Sequence, residues 1–272
     1  MIQTLRRMLG LDPEAQLKRT LGDMELPTFS KTTQALLRDL RDPDAPMSRI
    51  GDRLAADPGL SVTVLRLANR ASNGLRRPII DAAHATRLLG RSEIESLVIA
   101  AAVKQALPDA KAPGFDSGRF WRDAALRASV AKQLADVTDP ARARTAFTAA
   151  LLQDMAVPLL VSANPECYRD LIAEGTDQLE AREEERYGWN HATVAGWLCS
   201  SWALPDDLTG LIVHHHQPGA TPVLRAAEHA LDADPEAFLE DAREAAGLGP
   251  EQASALLEAA RVDAQELQAA LA

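Results

Sequence analysis

Histidine and arginine are the residues of this chain whose placement invites chemistry. Three consecutive histidines, His214, His215 and His216, follow the apolar pair Ile212-Val213, and a fourth, His191, stands beside Asn190 at what reads as a helix start. Imidazole binds divalent metals and exchanges protons near neutral pH, and at a helix C-terminus its cation also complements the dipole. These histidines therefore read either as metal donors or as polar contacts at helix ends. Between Gly59 and Ser92, six arginines (Arg66, Arg70, Arg76, Arg77, Arg87, Arg91) stand against one acid, Asp81. Arg66 and Arg70 are four apart, as are Arg87 and Arg91, so each pair shares a helix face. That pattern reads as a solvated face or as a docking surface for an anion, whether a nucleotide phosphate, an acidic partner or an acidic segment of the chain itself. Trp197 and Trp202 read as packing anchors. Cys167 and Cys199 show no CxxC or metal-ligand spacing and fit core positions in a reducing, cytoplasmic setting.

Helices must position these groups. The 272 residues are 46% hydrophobic but only 4% aromatic, and alanine and leucine dominate, which favours packed helices over a β-sandwich. A charged fraction of 25% is ordinary for a folded protein. No uninterrupted apolar run approaches the roughly 18 residues that span a bilayer, and the start of the chain lacks the apolar core and cleavage site of a secretory signal. The net charge of −10 argues against general nucleic-acid binding and is unevenly spread: ten acids face two arginines from Asp232 to Ala272.

Helix punctuation recurs along the chain. Asp57-Pro58 places a capping side chain before a proline at the first helical position, and Ser92-Glu93-Ile94-Glu95 reads as a capping box opening a helix that Pro108 closes. Residues 108–118 form the richest loop and the natural boundary between halves. Beyond it, helices are expected over 120–137, 141–161, 165–173, 178–187, 191–202, 206–216, 221–231 and 235–246. A last one over 250–271 is expected to break near Val262-Asp263. This divides the chain into a lead at 1–22, a two-lobed domain at 23–232 with lobes 23–108 and 118–232 joined by loop 109–117, and an acidic helical extension at 233–272.

Two groups of motifs carry a family resemblance. Leu26-Pro27, the stretch IGDRLAADPGLSVTVLRLAN from Ile50 to Asn69, Asn73-Gly74-Leu75 with Pro78-Ile79, and ATRLLG from Ala85 to Gly90 closely resemble the amino-terminal half of the HDOD domain. Phe120-Trp121-Arg122, GWNHATVAGWLCSSWALP from Gly188 to Pro205, and IVHHH from Ile212 to His216 look like its carboxyl half, a degenerate HD-type phosphohydrolase bundle. The resemblance implies an all-α, two-lobed fold and a bacterial cytoplasmic regulatory module that acts through a signalling protein partner, or a nucleotide or other anionic ligand, without turnover. It also implies what has become of the metal site. The first histidine position falls at Asp123 or a neighbour, the His-Asp pair has become Gln153-Asp154, and Ala156-Val157 replace the Gly-Lys that follows it. Asp154, His191 and the run of His214, His215 and His216 survive as candidate donors, so a vestigial divalent metal is the one cofactor implied, and no residue is assigned a catalytic role. The alternative is a metal-dependent phosphohydrolase or phosphodiesterase with an altered ligand set. The acidic extension is expected to dock on the arginine-rich face and mask it.

Overall fold

Side-chain caps set where the first helices begin. In the computed structural model, which describes residues 18–19, 21–22, 24–71, 78–173, 178–217, 220–232 and 235–271, Ser30 Oγ accepts from Thr33 N at 3.0 Å and opens α1 (Lys31–Arg41). After α2 (Met47–Ala55), Asp57 Oδ1 accepts from Leu60 N at 3.0 Å just before Pro58 starts α3 (Pro58–Ala71). Asp81 accepts from His84 N at 2.7 Å and opens α4 (Ala82–Ala106). Each cap satisfies an amide that has no partner within its helix.

Two polar clasps complete this first lobe, in which α4 packs on α1, α2 and α3. Asn69 Nδ2 donates to the carbonyls of Leu65 at 2.9 Å and Ile79 at 2.8 Å, while its Oδ1 accepts from Ile79 N at 2.6 Å, tying the end of α3 to the approach to α4. The span Ala82–Ala106 is two helical segments meeting at a kink at Gly90, whose φ of 76° and ψ of 174° suit a residue without Cβ, so the helix expected to open at Ser92 does start anew just past that glycine. Past the kink, Arg91 reaches back and donates to the carbonyls of Asp39 (2.7 Å), Leu40 (3.2 Å), Asp42 (2.8 Å) and Ala45 (2.6 Å). One guanidinium thus satisfies the orphan carbonyls at the end of α1 and the turn after it. Gly51 lets α2 lie close on α4, since a Cβ there would stand 3.1 Å from Ala83 Cα.

The second lobe is built around α5 (Ser117–Thr138), followed by α6 (Ala143–Leu152), α7 (Ala156–Ala163), α8 (Pro165–Ala173), α9 (Leu179–Tyr187), α10 (His191–Ser201), α11 (Asp206–Val213), α12 (Pro222–His229), α13 (Glu236–Ala246) and α14 (Pro250–Leu271). Helices α6, α12, α13 and α14 all pack on α5, which presents the fully buried alanines 124, 125, 128 and 131 to them; small side chains permit close helix approach. Among the described residues there is no β-strand, only a bridge pair, Ala112 with Phe115, in the loop between lobes. The fold is all-α.

The buried apolar residues of both lobes and of α13–α14 form one contiguous core. Trp202, just after α10, stacks on Phe29 of the first lobe with ring centroids 4.7 Å apart, and its Nε1 donates to the Pro27 carbonyl at 2.8 Å. Three details differ from the sequence reading. The expected helix 141–161 is split by a turn at Gln153–Met155. Helix α14 runs unbroken through Val262-Asp263, because Ala260, Ala264 and Leu267 keep one stripe buried throughout. The stretch Ala143–Ala163 is apolar enough by length and composition to cross a membrane, yet 83% of that window is buried inside the fold.

The acids of the C-terminal segment also find partners close by. Asp241 pairs with Arg225 and His229, Glu244 with Arg225, and Glu258 with Arg261. Helix α14 does lie against α3, but among the described residues no ion pair runs from these acids to Arg66, Arg87 or Arg91. Arg66 and Arg87 are exposed, whereas Arg91 is spent on the α1 carbonyls; the Arg70 side chain, Arg76 and Arg77 lie outside the described residues.

Arg91→Ala is expected to lower stability by about 2–4 kcal/mol, since several carbonyls lose a charged donor at once. Arg91→Lys should recover only part of that loss, because an ammonium cannot reproduce the planar fork. Urea denaturation followed by circular dichroism measures both, and an alanine variant as stable as the wild type would show the clasp to be dispensable.

Candidate functional site

Six elements aim polar side chains at one buried point of the second lobe. Arg127 projects from the middle of α5, and Gln153 and Asp154 form the turn that ends α6. Glu183 lies on α9, which Gly188 ends at φ 73°. Asn190 caps α10 by accepting from Thr193 N at 2.9 Å, which puts His191 at the first helical position. His215 and His216 follow the end of α11, and Glu228 comes from α12.

The contacts form a chain of charge. Arg127, 4% exposed, places Nη2 2.6 Å from Asp154 Oδ2. The other carboxylate oxygen, Oδ1, lies 3.2 Å from His191 Nε2 and 3.2 Å from His215 Nε2. His191 Nε2 is also 2.9 Å from His216 Nε2. Behind this cluster, Glu183 Oε2 takes both the backbone N–H of His191 at 2.7 Å and its Nδ1 at 2.6 Å, while Tyr168 donates to Glu183 Oε1 at 2.6 Å. His215 Nδ1 donates to the Ile212 carbonyl at 2.6 Å. Gln153 Nε2 donates to Glu228 Oε2 at 2.6 Å, and Arg127 Nε approaches that oxygen at 3.7 Å.

Burial and these partners set the proton positions. Burial would raise the Asp154 carboxyl, but Arg127 and then the hydrogen bonds from His191 and His215 hold it well below the usual carboxylate range. Burial would depress His191, yet hydrogen bonds to Asp154 and Glu183 push it up to about 10. His216 moves the other way, to about 3, through burial and the neighbouring His215 and His191. The proton of this imidazole pair therefore sits on His191, which donates both ring N–H groups.

Asp154 Oδ1 and the three Nε2 atoms belong to a donor group lying within 4.8 Å of one another. Holding the Nδ1 atoms of His191 and His215 from behind turns their Nε2 lone pairs inward, as outer partners do around metal ligands. The donor set fits one divalent ion, bound in exchange for the His191 proton. It offers no carboxylate to bridge two ions, because Arg127 covers Asp154 Oδ2.

Of the residues singled out from sequence, Asp154, His191 and His215 meet in this cluster and Gln153 is buried beside it. His214 is exposed and caps α11, and the turn after it points His215 inward and sets the more exposed His216 against His191. Asp123 lies one turn before Arg127, paired with Arg119 at 3.5 Å and outside the donor group. The α5 residue that reaches Asp154 is Arg127. A basic residue inside an alanine-rich buried stripe was a signal for it, whereas nothing marked Glu183 or Glu228.

A family profile for the HDOD domain matches residues 26–218. The chain belongs to the HDOD domain family. Solved structures share the fold. A presumed phosphohydrolase from Shewanella amazonensis SB2B superposes with a TM-score of 0.74 at 24% identity, covering 94% of this chain and 98% of that one. An HDOD domain protein of unknown function from Geobacter sulfurreducens gives 0.68 at 21% identity, with 94% and 96% covered. A presumed signal-transduction protein from Marinobacter aquaeolei VT8 gives 0.72 at 18% identity, with 98% of this chain and 66% of that one covered. No match was found among curated proteins. In this HDOD chain the histidine cluster lies inside the matched span, while α12 to α14 follow it.

Because the folded pKa of His191, about 10, lies above its ordinary 6.5, the folded state holds that proton more tightly than the unfolded state. Its stabilisation is complete below pH 6.5 and is lost as pH rises through about 10. Metal-free protein is expected to lose on the order of a few kcal/mol over that window in urea titrations. His191→Gln should flatten the slope; an equally steep slope in that variant would assign it to other groups.

Proposed function

We propose that this HDOD chain is a non-catalytic signal-transduction module working through protein or ligand contacts. The observation that supports the reading best is the buried guanidinium of Arg127 on Asp154, at 2.6 Å. Hydrolysis of a phosphoester at a metal centre relies on cations to activate water and to neutralise developing charge, often with two ions clamping the reacting oxygens. Here a fixed positive charge already occupies one side of the acid. Gln153 adds only a neutral amide, a weak ligand with no charge to offer a divalent ion, held to Glu228 through its Nε2. The description of the Marinobacter relative as a presumed signal-transduction protein is in keeping with this reading.

A second reading rests on the converging donors. Asp154, His191, His215 and His216 are suited to one divalent ion, which would supply Lewis acidity when bound and would tie the α6–α7 turn to α10 and to the segment after α11. A metal-dependent phosphohydrolase or phosphodiesterase with this altered ligand set is the alternative, in line with the description of the Shewanella relative.

The two separate by assay. With manganese, magnesium or iron, generic phosphoesters and cyclic dinucleotides are expected to turn over no faster than in buffer. Metal-dependent turnover that vanishes in Asp154→Ala would overturn the proposal and install the alternative. Calorimetric titration with zinc should show at most one ion per chain. Any binding should weaken as pH falls through the histidine range, since a protonated imidazole has no lone pair to give, and should disappear in His215→Ala.

A further inference from the structure

Glu228 is the one acid of the buried cluster that comes from outside the family match, on α12. That helix is only 8 residues long, about two turns, and a single carboxylate grips both. Asp241 of α13, 7% exposed, holds Arg225 Nη2 at 3.1 Å through Oδ1 and His229 Nδ1 at 2.7 Å through Oδ2. Arg225 and His229 are four apart and share one face. Glu228, next to His229, is carried by the adjacent face to Gln153 and Arg127.

The join between α12 and the cluster is incompletely closed. Arg127 Nε has no hydrogen-bond acceptor and Gln153 Oε1 no donor, although both atoms are buried. Glu228 Oε2 stands at 3.7 Å from Arg127 Nε, within ion-pair range but beyond a hydrogen bond. A small displacement of α12 therefore decides whether the guanidinium is shared between two carboxylates or left to Asp154 alone. Arg127 itself is buried, so such a redistribution is felt by the charges beside it, although the Glu228 side chain is 40% exposed and its pull is partly screened by solvent.

We propose that the segment after the HDOD match sets the charge balance of the histidine cluster, with Asp241 as the positioning residue and Glu228 as the group it delivers. While α13 holds α12 in register, Glu228 draws on Arg127, and Asp154 keeps its hold on His191 and His215. A partner that pulls α13 away removes Glu228, strengthens the grip of Arg127 on Asp154 and loosens the imidazoles. The inference stands whether or not the pocket turns over a phosphoester.

The test uses the full chain, uniformly labelled with ¹⁵N and free of metal, and reads the imidazole resonances of His191 and His215 at one fixed pH. Glu228→Gln should shift both. Asp241→Asn should shift the same resonances in the same direction by a smaller step, and Asp241→Glu should return them toward the wild-type positions. A merely structural salt bridge would perturb α12 and α13 and leave the cluster unmoved. If Asp241→Asn does not fold, His229→Gln releases one of the two grips and carries the same expectation. Resonances that respond to Glu228→Gln but to neither Asp241→Asn nor His229→Gln would overturn the positioning role. Resonances indifferent to Glu228→Gln would overturn the proposal as a whole.

Discussion

A guanidinium and a carboxylate buried side by side in an alanine-rich bundle govern how the second lobe is assembled. Taking both charges out of water costs several kcal/mol per ion, recovered only when geometry and further hydrogen bonds are good. The elements around Arg127 and Asp154 answer that demand. The apolar stretch from Ala143 to Ala163 breaks at Gln153–Met155 and so brings Asp154 to α5. Helices α10 and α11 end or begin where an imidazole can reach the second oxygen, and Tyr168 and Glu183 satisfy the far side of His191. Removing either ion would strand the other, so the pair specifies an arrangement more than it adds stability.

The same pair separates the family's architecture from its chemistry. This HDOD chain keeps a carboxylate and imidazoles converging on one point, a layout suited to a cation. Arg127 places a permanent cation at its edge. Proton and guanidinium thus share one carboxylate, the hydrogen bonds to Asp154 and Glu183 favouring the proton on His191, and a divalent ion would have to compete with both. The net charge of −10 says nothing of this, because it is dominated by acids on the C-terminal helices.

Local signals were legible in the sequence, and tertiary ones were not. Asp57 and Asn190 cap helices because a short side chain before an apolar stripe has an amide within reach whatever the rest of the chain does. Asp154, His191 and His215 were legible through the motifs around them. Which of the three consecutive histidines would join the cluster was not, because the chain leaves helical geometry at His214 and periodicity ceases to report direction there. Nor could an acid-rich C-terminal composition reveal that Asp241 turns inward onto Arg225 and His229.

Helix α10 has a mechanical consequence. Its first residue, His191, belongs to the buried cluster, and the residue after its last turn, Trp202, is stacked on Phe29 and bonded to the Pro27 carbonyl in the other lobe. Eleven residues of α-helix make a stiff rod of about 16 Å, pinned at both ends to different halves of the molecule. Such a rod ties the position of the imidazole end to that of the indole end. The two lobes are therefore coupled through one helix, with the buried histidine cluster at its start and the ring stack of Trp202 on Phe29 just past its end.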